Sequence, residues 1–327
     1  MDLQSKDSGR SSHTRDDEPV RPEETAATVS SGLAYWCDAT KGAGKIAPEV
    51  FADIMGRPGF ADACRASHKF STERVGRNPL LARVTIDTSR LIYGYLVLYL
   101  DAQGAITLKA IQDMCRDIGL ASHGRAQAIL FHLRAIGYLQ RDPESTDRRS
   151  RRYLPSPEMK AALRECLTDE LRAFSRIEPE AGEMAKRFSE PEFFRAFLMR
   201  FGKGTVDALK FRNQRPIGHF SDSNAGLIML WDVILSAKDG DVYPPRGPLK
   251  MSVRDLARKY GVSRTHILRL FRGAENKGLL TRNADDQTVT LSEMFARDIA
   301  EFLSIIFLGL AVSAQHAFDT TAANATV

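Results

Sequence analysis

"SHGRAQAILFHLRAIGYLQR", Ser122 to Arg141, and "SRTHILRLFRGAENKGLLTR", Ser263 to Arg282, follow one plan 141 positions apart. A serine able to cap a helix opens each. Apolar residues then recur at i, i+3, i+4 and i+7, as Ala126, Ile129, Leu130 and Leu133 in the first and Ile267, Leu270, Phe271 and Ala274 in the second, so each predicts a helix with one buried face. A glycine just past the pattern, Gly137 or Gly278, stops the helix, and a short alternating stretch suited to a strand follows. The other face is polar and cationic. It carries His123, Gly124, Gln127, Phe131 and Arg134 in the first helix and Arg264, Thr265, Leu268, Arg269 and Arg272 in the second.

Immediately upstream, "TLKAIQDMCRDIG" (107–119) and "MSVRDLARKYG" (251–261) each open on a Thr or Ser cap and close at a glycine. Before those lie "SRLIYGYLVLYLDA", with Leu91, Ile92, Tyr95, Leu96 and Tyr99 on one predicted buried stripe, and "AGLIMLWDVILSA", with Leu227, Ile228, Trp231, Ile234 and Leu235 on another. Downstream, "RDPESTDRRSRRYLP" and "RNADDQTVTLS" each suit a turn and a second strand. Helix, turn, helix and hairpin make a winged helix.

The expected fold is therefore mainly α with small β-wings (α+β), as two tandem winged helix-turn-helix domains plus flanking helices. The expected boundaries are an acidic, disordered tail over 1–43, a first unit over 44–178, a second over 179–318 with its core at 222–291, and a disordered end over 319–327. "PEVFADIMGRPGF" from Pro48 and "PEFFRAFLMRFGK" from Pro191 stand 143 positions apart, which extends the apparent repeat beyond the winged cores.

The first unit resembles the MarR-type transcriptional regulators over about residues 88–175, through its Asp147-Arg148-Arg149 wing sequence and the following helix "SPEMKAALRECLTDELRAF". The resemblance implies double-stranded DNA as partner, a wing arginine, Arg148 or Arg149, in the minor groove, and a recognition helix in the major groove. The second wing, "NADDQ", is short and acidic and departs from that pattern.

Charge distribution points the same way. The net charge is +5, but residues 107–153 carry +4 and residues 250–282 carry +7, leaving −6 on the rest. Gathered positive charge is the footprint of a polyanion binder. The expected DNA-contacting residues are Ser122, His123, Arg125, Gln127 and Arg134 on helix 122–136, and Ser263, Arg264, Thr265, His266, Arg269 and Arg272 on helix 263–277. Arg148, Arg149, Arg151 and Arg152 join them on the wing 142–154, where "RRSRR" repels itself unless an anion neutralises it. Arg264 and Thr265 occupy a first turn, where such helices reach base edges, while Arg269 and Arg272 suit bases or phosphates. Gln127 suits adenine. Phe131 is expected to be covered by the N-terminal helices rather than to meet a thymine methyl.

No GxSxG, P-loop, GxGxxG or HExxH occurs, and "KGAGKIAP" has too few residues between its glycines for a Walker loop. The expectation is a non-enzyme without cofactor or metal; His123 and His266 lack a second ligand at usable spacing. Four scattered cysteines suggest reduced thiols and a cytoplasmic, nucleoid-associated protein. "FLSIIFLGLAV" (302–312), at 11 residues, is short of the roughly 20 that span a bilayer. It implies a helix buried either within the chain or in a homodimer through the C-terminal helix. Tyr93, Tyr95 and Trp231 read as core rather than as a ligand pocket. The expected function is a sequence-specific transcriptional regulator, with RNA polymerase as a further partner through the acidic tail. A plasmid-type replication initiator and a protein-interaction scaffold are the alternatives.

Overall fold

Backbone hydrogen bonds repeat across the two halves of the chain, with the 141-position shift up to the first strand of each hairpin and a 136-position shift after the shorter second hairpin. Tyr138 N donates to Leu133 O (2.8 Å) and Leu279 N to Ala274 O (3.0 Å); Ser156 N donates to Tyr138 O (2.9 Å) and Ser292 N to Leu279 O (2.9 Å). A computed structural model describes residues 32–40, 46–77, 86–104, 106–145, 151–209, 215–237 and 242–325.

The first half runs α1 (Gly32–Ala39), α2 (Pro48–Gly56), α3 (Phe60–Arg77), α4 (Thr88–Ala102), α5 (Leu108–Asp117), α6 (His123–Ala135), β1 (Leu139–Arg141), β2 (Tyr153–Pro155) and α7 (Pro157–Phe174). The second runs α8 (Glu180–Lys186), α9 (Pro191–Leu209), α10 (Gly218–Ser221), α11 (Gly226–Ile234), β3 (Leu249–Lys250), α12 (Val253–Tyr260), α13 (Arg264–Asn276), β4 (Leu280–Asn283), β5 (Thr288–Leu291) and α14 (Glu293–Ala325). A single 3₁₀ turn, Arg187–Ser189, joins α8 to α9. The described chain is mainly helical with two small antiparallel sheets.

Both sheets have the same plan. β1 pairs β2 with Gln140 opposite Leu154, and Thr107, just before α5, bridges to Arg152. β4 pairs β5 with Thr281 opposite Thr290, and β3, just before α12, pairs with β5 through Leu249 and Val289. In each half the residues entering the first helix of the pair supply a third strand position beside the hairpin.

The helices that flank these cores exchange partners. α3 packs on α7 of its own half and on α11 of the other; α9 packs on α14 of its own half and on α4 of the other. That exchange makes α3 the counterpart of α9, so the shared Pro-Glu starts at Pro48 and Pro191 begin helices with different places in the fold. It also corrects the one-sided burial expected of α4 and α11. Tyr93, Leu96, Val97, Leu98 and Leu100 are all buried in α4, as are Ile228, Met229, Leu230, Trp231, Val233 and Ile234 in α11. Each packs on the long helix of the opposite half, α4 also on α5 and α7 and α11 also on α10 and β3, and one continuous apolar core runs through both halves.

α14 is buried almost all round, with Leu303, Phe307, Leu308, Leu310, Ala311, Val312, Ala314 and Ala317 inside. It packs on α1, α2, α7, α8 and α9, so the chain itself covers this helix. It continues to Ala325, through most of the segment expected to be a disordered end. The boundary at residue 43 is also too late. α1 docks on α14 and buries Trp36 fully, with the indole Nε1 donating to Asp53 Oδ2 at 2.9 Å. No helix among the described residues is long and apolar enough to cross a membrane. None of the four cysteines is in a disulfide.

Candidate nucleic-acid interface

Each helix pair is set by the same local devices. Thr107 Oγ1 accepts from Ala110 N at the start of α5, and Ser252 Oγ from Asp255 N at the start of α12. Ser122 Oγ accepts from Arg125 N at 3.3 Å, and Ser263 Oγ from His266 N at 3.1 Å, capping α6 and α13. Between the helices of each pair the chain turns through Gly119 and Gly261, both at φ +64°, a left-handed conformation that side chains rarely adopt. The buried sets of α6 and α13 are those the spacing predicts: Ala126, Ile129, Leu130 and Leu133, and Ile267, Leu270, Phe271 and Ala274.

Further bonds fix the rotation of these helices about their axes. The buried Tyr93 hydroxyl of α4 donates to Ala126 O of α6 at 2.9 Å. In the second half, His219 Nε2 of α10 bonds Leu270 O of α13, also at 2.9 Å. With their apolar faces committed, both helices turn the opposite face to solvent.

On α13 that outward face carries Arg264, Thr265, Leu268, Arg269 and Arg272, all exposed. Arg264, Arg269 and Arg272 make no ion pair with a described residue. Glu275 on the same helix is occupied by Arg282 of β4, Nη2 to Oε2 at 2.6 Å, and that guanidinium holds its carboxyl below the usual range. Arg272 also feels the Glu275 carboxylate three residues on, but none of the three arginines forms an ion pair with a described residue. His266 departs from expectation. Its Nε2 bonds Asn224 O at 2.9 Å, tying the start of α13 to the loop before α11 instead of facing outward.

On α6, His123, Arg125 and Arg134 are exposed and Gln127 is half-buried. Phe131 stands 47% exposed, which overturns the expectation that the N-terminal helices cover it; those helices pack on α7, α11 and α14 instead. Arg134 lies over the Tyr153 ring of β2, 5.6 Å from its centroid, linking helix to wing. His123 is drawn to the preceding helix, with Gln112 Nε2 donating to its carbonyl at 3.2 Å and Arg116 Nη1 3.5 Å from its ring Nε2.

Arg148 and Arg149 lie outside the described residues. Arg151 and Arg152 are exposed at the root of the first wing and make no ion pair with a described residue. Arg141 of β1, opposite Tyr153, is exposed beside them and was not among the residues singled out from sequence, nor were Lys250 and Arg254 at the entrance to α12. Their signal was available: each sits within a strand or cap adjoining a basic helix. The second wing has the opposite sign. Its tip is closed by Asn283, whose Oδ1 accepts from Asp285 N at 3.0 Å and whose Nδ2 donates to Asp286 at 2.7 Å, leaving both acids exposed.

The arrangement presents two helices of equal length, each capped by serine and backed by a helix and a hairpin, with exposed guanidinium groups outward. Such groups bond phosphates, or the paired acceptors of guanine in a groove wide enough for a helix. Comparison with protein-family models, curated proteins and solved structures returns no match, so the functional reading rests on these residues alone.

Proposed function

We propose that the chain is a double-stranded DNA-binding transcriptional regulator built from two winged helix-turn-helix units in one polypeptide, with α6 and α13 as recognition helices. The observation that carries this is the row Arg264, Arg269 and Arg272 on α13, exposed and unpaired among the described residues. A row of like charges on one helix face repels itself and disfavours the fold unless a polyanion neutralises it. Repetition of the same helix pair in the first half supports the reading, since DNA regulators commonly present two recognition helices to successive turns of the duplex, about 34 Å apart. The basic root of the first wing supports a backbone or minor-groove contact there.

The test is retention of fragmented genomic DNA by the purified full chain at near-physiological salt, with sequencing of what is bound. Alongside it runs a variant carrying Arg264→Ala, Arg269→Ala and Arg272→Ala. Enrichment of a small set of sites sharing one motif, by roughly 10³-fold or more over random DNA, is the expected result, and the variant loses it. Uniform retention that disappears as salt rises is counterion release without recognition and removes the regulator reading.

A further inference from the structure

The two recognition faces are chemically unlike at matched positions. Shifting α6 by 141 residues sets Gly124 against Thr265, Gln127 against Leu268, Ala128 against Arg269 and Phe131 against Arg272. The same shift superposes both buried sets and both serine caps, so these are equivalent places on equivalent helices. On α13 the middle of the face is guanidinium. On α6 it is a primary amide, a methyl group and an exposed phenyl ring.

Base edges in the major groove discriminate between such surfaces. Arginine pairs best with guanine through O6 and N7. A glutamine amide bonds adenine through N6 and N7, and the thymine C5-methyl is the apolar group there that a phenyl ring or an alanine methyl can cover. Phe131 is not drawn into the core, being 47% exposed, and Arg125 and Arg134 on the same helix are exposed cations that a phosphate backbone would meet.

The wings differ in the matching sense. Arg141, Arg151 and Arg152 lie exposed at the root of the first, whereas exposed Asp285 and Asp286 tip the second. Runs of A·T pairs narrow the minor groove and deepen its negative potential, which favours arginine and opposes carboxylate.

Resting on the DNA-binding reading above, we infer that the chain's target is one asymmetric bipartite site. Its half under α6 is A·T pairs read through Gln127 and the Phe131–thymine methyl contact, with the minor groove beside it taken by Arg141, Arg151 and Arg152. Its half under α13 contains guanine read by Arg264 in the helix's first turn, with Arg269 and Arg272 on the phosphate backbone. A single chain holding two unequal faces needs no palindrome, because the two helices are not related by symmetry.

The experiment is selection of bound duplexes from a random-sequence pool by the full chain. Binding is then measured to the selected site with every thymine of the A·T half replaced by deoxyuridine, which removes the methyl and leaves the hydrogen-bonding edge intact. The expected outcome is a motif with one A·T half and one guanine-containing half, and a loss on the order of tenfold in affinity on deoxyuridine replacement. Phe131→Ala, on a solvent-facing position that leaves the fold intact, lowers affinity for the thymine site and abolishes the deoxyuridine effect.

A motif of two equal inverted halves overturns the asymmetric site while leaving DNA recognition standing. An unequal motif indifferent to deoxyuridine in the wild-type chain overturns the role of Phe131. Absence of any motif removes both this inference and the regulator reading beneath it.

Discussion

His68 of α3 lies stacked on Trp231 of α11, ring centroids 3.8 Å apart and 13° from parallel, so a buried imidazole forms the seam between the two halves of the chain. Its Nδ1 meets the Tyr243 hydroxyl, and its Nε2 has no hydrogen-bond partner among the described residues. Desolvation by burial lowers the imidazole well below its ordinary value of 6.5, so in the folded chain it is neutral. The unfolded chain protonates this histidine near pH 6.5 while the folded chain does not, so it erodes stability as pH falls below about 6.5. Glu170, raised by burial, acts in the opposite direction. The folded state holds that proton to a higher pH than the unfolded one, so acidification through that range stabilises. Paired replacement of His68 and Tyr243 by Phe keeps the stack and leaves no orphan hydroxyl. The melting temperature of the wild-type chain is expected to fall more steeply from pH 7.5 to 5.5 than that of the double variant; equal slopes would mean that His68 takes up its proton within the fold.

The Arg74–Asp169 pair, Nη2 to Oδ2 at 2.9 Å, joins α3 to α7 with the two side chains 6% and 11% exposed. Breaking one side of such a pair leaves an uncompensated buried charge. Asp169→Ala is expected to cost about 3–5 kcal/mol in urea unfolding, whereas Arg74→Met with Asp169→Leu costs much less because neither charge is then buried. Equal losses from the single and double variants would show that the pair contributes packing rather than charge.

Gly202 of α9 faces Tyr99 of α4 so closely that a β-carbon there would stand 2.3 Å from the ring's Cγ. This is the other inter-half seam, where Tyr95 and Phe201 also meet edge to face with centroids 5.6 Å apart. Gly202→Ala is expected to destabilise by about 1–3 kcal/mol through overpacking, despite alanine's better helix propensity. In a background of Tyr99→Ala that cost shrinks, and additive effects in the double-mutant cycle would place the strain elsewhere.

These seams mark the boundary of what the sequence reveals. The buried faces of α6 and α13 follow from period alone because each meets neighbours from its own short stretch of chain; Leu130 and Phe271 are inside as spacing dictates. The serine caps and glycine turns are local chemistry and equally legible. The burial of Val97 and Leu98 on α4, outside the predicted stripe, comes from packing that the helix's own periodicity does not encode, and α9, far along the chain, covers another side. Trp36 and Leu33 belong to a segment expected to be tail, yet both are buried, Trp36 against Phe174 of α7, in a helix that packs on α14. On the outward faces of α6 and α13, charge was legible but engagement was not. His266 and Arg264 read alike, and only the carbonyl of Asn224 separates the anchored residue from the outward one.

The last prediction separates position from readout along α13. Arg264 and Thr265 stand in the first turn, where side chains reach base edges, and Arg269 and Arg272 lie one and two turns further along the exposed face. A phosphate contact contributes about 0.9 to the slope of log affinity against log salt and nothing to sequence preference; a base contact does the reverse. Arg269→Ala with Arg272→Ala is therefore expected to weaken binding to specific and random duplexes alike and to flatten the salt slope by up to about 1.8. Arg264→Ala is expected to cost about 1–3 kcal/mol on the specific site only, relaxing preference at one base pair with little change in slope. Titrations of both variants on both duplexes at three or more salt concentrations decide it. If Arg264→Ala alters the slope and leaves preference intact, the arginine at the head of the helix is a phosphate anchor, and base readout in that half moves to the residues behind it.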